Sequence, residues 1–155
     1  MTSSLRGSGE RPRPNTGPWN DTTHAELGAL DVSPQDWFVI VSARPNVLVE
    51  GPERSTELLI QALATAVHET MYDWSQPWPK DGRATVIVRA VDALNDEEQR
   101  QVLDLLNDSG NGSPPRQVIT TSARPIFPLV HEGLFREDLY YRLNVVHLKI
   151  GEGPK

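Results

Sequence analysis

Short apolar runs alternate with segments of helical periodicity, and this alternation limits the folds open to the chain more than any other feature. Asn46-Val47-Leu48-Val49-Glu50-Gly51 reads as a strand stopped by glycine, and Leu59, Leu63, Ala66 and Val67 then recur at helical spacing between Glu57 and Glu69. Ala84 to Val91 is a second strand. It is followed by Asn95-Asp96-Glu97-Glu98, an N-cap with an acid three residues on, and by the buried stripe Val102, Leu103 and Leu106. Val118-Ile119-Thr120-Thr121 is a third. Phe135, Leu139 and Leu143, four residues apart, share one helical face before the last strand, Val145 to Ile150. There Val146, Leu148 and Ile150 alternate with His147 and Lys149, the pattern of an edge strand. Strands separated by helices predict an α/β three-layer sandwich, with a mostly parallel sheet of about four strands and helices on both faces.

Order is expected to begin at Ser33-Pro34-Gln35-Asp36, a serine N-cap with proline at the first helical position and an acid in the first turn. The bulky run Trp37 to Val41 that follows suits a helix or a strand, and the helix is preferred for its start signal. Residues 1–32, rich in glycine, proline, serine and asparagine, read as a disordered leader, and 152–155 as a tail around a single 33–151 domain. Arg6, Arg11 and Arg13 in that leader are offset by Glu10, Asp21 and Glu26.

A length of 155 residues supports one domain with a moderate core. The net charge of −6, with acids and bases interspersed, gives no basic stripe, so direct DNA binding is not expected. The absence of cysteine excludes disulfides and thiolate metal sites, and none of His24, His68, His131 and His147 has a partner at metal-ligand or catalytic spacing. No apolar run reaches membrane-span or signal-peptide length, and a cytoplasmic protein is the expectation.

The segment Phe135-Arg136-Glu137-Asp138-Leu139-Tyr140-Tyr141-Arg142-Leu143-Asn144-Val145 resembles, almost letter for letter, the G-x-F-R-x-D-L-Y-Y-R-L-N-V block of the AAA+ domain in bacterial enhancer-binding proteins, which activate RNA polymerase carrying sigma-54. The resemblance extends from about Pro45 to Ile150. It implies a reduced P-loop NTPase core of AAA+ type, with the Val47 strand between those at Val145 and Val118 and the Val86 strand beyond the latter. The family's cofactors would be ATP and Mg2+, and its partners sigma-54 machinery or AAA+ homologues.

Against that template the nucleotide motifs are altered one by one. The P-loop G-x-x-x-x-G-K-[ST], or the family variant ending in Gly-Lys-Glu, is replaced by Gly51-Pro52-Glu53-Arg54-Ser55-Thr56-Glu57-Leu58, where only the first glycine remains. Arg54 and Thr56 stand where glycines let backbone N–H groups converge on phosphate. Glu57 puts an anion in the place of the phosphate-binding lysine, and Leu58 has no oxygen for magnesium. Ala84-Thr85-Val86-Ile87-Val88-Arg89-Ala90-Val91 aligns with the family's G-T-L-F-L-D-E-V strand. Arg89 thus replaces the magnesium-organising aspartate and Ala90 the glutamate that activates water. Ala123 falls where the family has a sensor asparagine. Only 38 positions separate Gly51 from Arg89, too few for the family's extra strand and its G-A-F-T-G-A loop, so Met71 to Gly82 reads as a compact connection. Its Trp74 and Trp78 are either an exposed docking patch or, as preferred, the lid of a core. The chain stops before the family's helical lid domain and second sensor.

Arg136 and Arg142 match the family's arginine-finger positions, intact where the site they serve is not. Two readings stand: fingers donated in trans to an active homologue, or packing, with Arg142 paired to Asp138 four residues earlier. The function expected is that of a catalytically inactive sigma-54-interaction-type domain that modulates transcription by binding protein, with no metal, no catalytic residue and nucleotide binding lost or very weak. An ATP-binding sigma-54-dependent regulator and a non-functional remnant are the alternatives.

Overall fold

The computed structural model describes residues 30–107 and 113–151, so most of the expected leader, the tail and the centre of the 107–115 loop lie outside it. Helix α1 (Pro34–Ala43) starts as its sequence predicts: the Ser33 side chain accepts a hydrogen bond from the Asp36 N–H at 3.0 Å, and proline occupies the first turn. Only Trp37 and Ile40 of its apolar run are buried, and Phe38 is 53% exposed. Packing begins before the expected boundary at residue 33. Leu30 and Val32 are buried in the same core as Trp37 and Ile40.

Strand β1 (Val47–Glu50) leads into α2 (Glu53–Val67), and β2 (Met71–Asp73), β3 (Thr85–Val88), α3 (Asp96–Leu106), β4 (Gln117–Ser122), α4 (Phe127–His131), α5 (Glu137–Leu143) and β5 (Val146–Lys149) follow. A single 3-10 turn, Val91–Ala93, links β3 to α3. The strands form one all-parallel sheet in the order β2-β3-β4-β1-β5. The order of the last four strands is the one the resemblance implies, with β5 at an edge. The fifth strand is a correction. Met71–Asp73 pairs with Thr85–Ile87 where the sequence predicts a plain connection, since three residues are too few to display an alternating pattern.

Successive residues of the strands feed opposite faces. Val47, Val49, Ile87 and Ile119 pack under Trp37 and Ile40 of α1 and Leu59 and Leu63 of α2. Leu48, Val88 and Val118 pack under Val102 and Leu106 of α3 and Leu139 and Leu143 of α5, with Phe135 joining them. Helix α3 carries the expected capping box: Glu98 N–H donates to Asn95 Oδ1 at 2.8 Å, and Asn95 N–H to Glu98 Oε1 at 2.9 Å.

The amino ends of the strands are tied by a buried polar network that the sequence did not announce. Arg44, in the left-handed conformation after α1 (φ 57°), donates from Nε to Gln117 Oε1 at 2.8 Å and from Nη2 to Thr85 Oγ1 at 2.5 Å and Glu69 Oε1 at 2.8 Å. Gln117 in turn donates to the carbonyls of Ile40 and Pro45. The hydrogen bond from Arg44, outweighing partial desolvation, holds the Glu69 carboxyl below its ordinary 4.5.

Two outcomes follow from this packing. A group with a lowered folded-state pKa stabilises above its unfolded value and stops doing so as pH falls through the folded one. Urea midpoints should therefore decline below pH 4.5, the ordinary value for Glu69, and Arg44→Gln should flatten that part of the decline. Gly51→Ala should lower stability by about 1–3 kcal/mol in the same assay, as overpacking does. A Cβ there would lie 2.6 Å from Ile150 Cγ1 and 2.7 Å from the Ile150 carbonyl oxygen.

Candidate functional site

Ligands of open parallel α/β sheets bind beyond the carboxyl ends of the strands, and the residues aligned with the nucleotide motifs meet there. Gly51, Glu53, Thr56, Glu57, Arg89, Ala90, Thr121, Ser122 and Ala123 line one cleft of about 130 Å³. Ligand pockets usually occupy about 300–1,000 Å³. The two residues between β1 and α2 are all that remains of a loop. Gly51 is followed by Pro52 as the N-cap, and α2 is already wound at Glu53, four residues before the start expected from the apolar repeat. The physical reason is local: proline fixes φ near the helical value just before an acid that suits the first turn.

That winding redirects the backbone. The Thr56 N–H, at the position of the second P-loop glycine, donates to the Pro52 carbonyl at 3.0 Å as an ordinary helical hydrogen bond. Its hydroxyl donates to the Glu53 carbonyl at 2.9 Å. Arg54 is exposed on the first turn, and Leu58 is half-buried against the core under α2. Gly51 has a packing reason to be glycine, since Ile150, just past β5, leaves no room for a side chain.

Glu57 and Arg89 meet directly. The Arg89 Nε and the Glu57 Oε1 form an ion pair, with Nη2 3.4 Å from Oε2. Arg89 Nη1 also lies 3.9 Å from Asp73 Oδ2 at the end of β2. Ala90 adopts the left-handed conformation (φ 54°), and its N–H donates to Thr121 Oγ1 at 3.2 Å. Ala123 lines the cleft with a methyl group only. Arg124, beside it, turns to Asp92 at 3.2 Å.

Neither Arg136 nor Arg142 lines the cleft. The expected Asp138–Arg142 pairing is not made. Arg136, the N-cap of α5, grips Asp138 with two hydrogen bonds of 3.1 Å, and this contact holds the Asp138 carboxyl below its usual range. The Arg136 N–H donates to Gln99 Oε1 at 2.8 Å, and the Gln99 amide donates to the Leu94 and Leu134 carbonyls, so a buried glutamine on α3 fixes the entry to α5. Arg142 Nη2 donates to the Leu106 carbonyl at 2.7 Å, a cation at the negative end of α3.

Trp74 is half-buried against the core under α3, and its N–H extends the β3 pairing to the Ile87 carbonyl. Trp78 is half-buried, with the Lys80 ammonium 3.7 Å from its ring centroid. A further contact went unnoticed in the sequence: Glu50, buried at the end of β1, accepts from the Ile126 N–H at 3.0 Å and lies 2.8 Å from His147 Nε2 on β5. Two residues so far apart in the chain leave no local signal. Among the described residues no group of His, Cys, Asp or Glu is arranged to hold a metal, and no helix is long and apolar enough to cross a membrane.

Residues 84–149 match the family model of the sigma-54 interaction domain. Solved structures of NtrX from Brucella abortus share the fold. The form in complex with ADP superposes with a TM-score of 0.62 at 17% identity, covering 86% of this chain and 36% of that one. The form in complex with ATP gives 0.62 at 18%, covering 91% and 39%, and a third gives 0.60 at 18%, covering 75% and 35%. The chain thus spans little more than a third of these proteins. No curated protein matches it. Residues 84–149 are thus similar in sequence to the sigma-54 interaction domain, and most of the chain shares the fold of the NtrX structures.

Proposed function

We propose that this chain is a non-catalytic member of the sigma-54 activator relatives, acting by binding protein and using neither ATP nor magnesium. The observation that carries the proposal is the Glu57–Arg89 pair, which joins the two positions that phosphate and metal would otherwise separate. Three further features support it. The Thr56 N–H, at the position of the second P-loop glycine, is spent on the Pro52 carbonyl in the first turn of α2. A triphosphate entering the cleft would face Glu53 and Glu57, while Arg89 is already shared between Glu57 and Asp73. At positions 90 and 123 alanine offers neither a base for water nor an amide for phosphate.

The partner we propose is sigma-54 transcription machinery or an AAA+ homologue, on the strength of the family match alone. Arg136 and Arg142 then serve the packing of their own block, since both guanidiniums are engaged inside the chain. In that role they give no reach to a neighbour's phosphate.

Calorimetric titration with ATP and Mg2+ is expected to give no saturable heat, whereas dissociation constants in the micromolar range would overturn the reading. Mixing the chain with an active sigma-54 activator should leave any change in ATPase rate intact in Arg136→Ala, and loss of the effect in that variant would reinstate the finger. Arg142→Ala should cost about 1 kcal/mol of stability through the orphaned carbonyl of Leu106, read as a lower urea midpoint.

A further inference from the structure

We infer that Arg89 is the pin of an ionic clasp that joins α2, β3 and β2, so that the carboxyl end of the sheet holds its shape without any ligand. The inference concerns the free protein and does not depend on which partner it binds.

The clasp acts where the fold is weakest. Strand β2 has three residues, none fully buried, and pairs only with β3 at the edge of the sheet. Helix α2 begins after Pro52, an N-cap residue whose side chain cannot bind the first N–H groups. Short edge strands and uncapped helix starts are the segments that open first. Arg89 follows the last residue of β3, and its guanidinium reaches Glu57 in the second turn of α2 on one side and Asp73 at the end of β2 on the other. Its own backbone is steadied by the next residue, whose N–H is bound to Thr121 on β4. One guanidinium thus bridges the two elements most prone to fray. Other charge in the cleft lining is limited to Glu53, and Thr121 and Ser122 are neutral.

Both partners of the main pair are partly exposed, Arg89 by 43% and Glu57 by 36%. The clasp is therefore open to screening by salt, and its effect is modest in size.

Amide hydrogen exchange on the intact chain tests it. In Arg89→Gln, the amides of Thr56 and Glu57 in α2 and of Trp74 beyond β2 should exchange about two- to five-fold faster, the size a partly exposed pair allows. The amides of α3 should keep their rates. Glu57→Gln should loosen α2 alone. The exchanged pair Glu57→Arg with Arg89→Glu should restore α2 but leave Trp74 fast, because the new carboxylate at position 89 would face Asp73. Unchanged exchange in Arg89→Gln, or failure of the exchanged pair to restore α2, would overturn the clasp. If Arg89→Gln does not fold, the unmodified protein decides: raising sodium chloride from about 0.05 M to about 1 M should accelerate the same amides selectively, and uniform rates would contradict the inference.

Discussion

The burial of β1 is the constraint on which the other elements depend. Its four residues are covered on both faces and hydrogen-bonded on both edges, by β4 and β5. Val47 and Val49 serve the core under α1 and α2, and Leu48 the core under α3 and α5. Its ends are fixed as well. Asn46 accepts from the Val118 N–H and donates to the Arg142 carbonyl, while Glu50 is held by the Ile126 N–H and lies beside His147. Beyond it, Gly51 presses on Ile150 and donates to the Ser122 carbonyl. A chain leaving a strand so enclosed has one short exit, and Pro52 turns it straight into α2.

That exit explains the character of the cleft better than any single substitution does. A phosphate cradle needs a wide loop whose N–H groups are free and converge on one point. Here the same residues are wound into the start of α2, and the Thr56 N–H is taken by the Pro52 carbonyl. Glu57 and Arg89 then meet across the cleft as an ion pair. Arg89 is engaged by carboxylates of the chain itself, and the cleft holds about 130 Å³.

Much of this was legible in the sequence wherever the signal was local. The Ser33-Pro34 start, the Asn95 capping box and the alternation in β5 each depend on residues within one or two turns of each other, and each has the form expected. The strand order came from the resemblance around Phe135 to Val145. What stayed hidden was long-range or too short to have a period. Strand β2 is three residues long. The early start of α2 was masked by aligning Gly51 to Leu58 with a loop, although Pro52-Glu53 is itself a start signal. Helical spacing favours i,i+4 pairs and points Asp138 to Arg142, whereas Arg136, just outside α5, folds back on its first turn and takes Asp138. The Arg44 network and the Glu50–His147 contact join residues tens of positions apart, beyond any local pattern.

The central claim is that the residues of the would-be phosphate loop are helix, and that nucleotide does not alter them. The 13Cα chemical shifts of Glu53, Arg54, Ser55 and Thr56, recorded with and without ATP and Mg2+, measure this directly. The account predicts helical values for all four, unchanged on addition of nucleotide. Loop-like values in the free protein, or a saturable displacement with nucleotide, would contradict it.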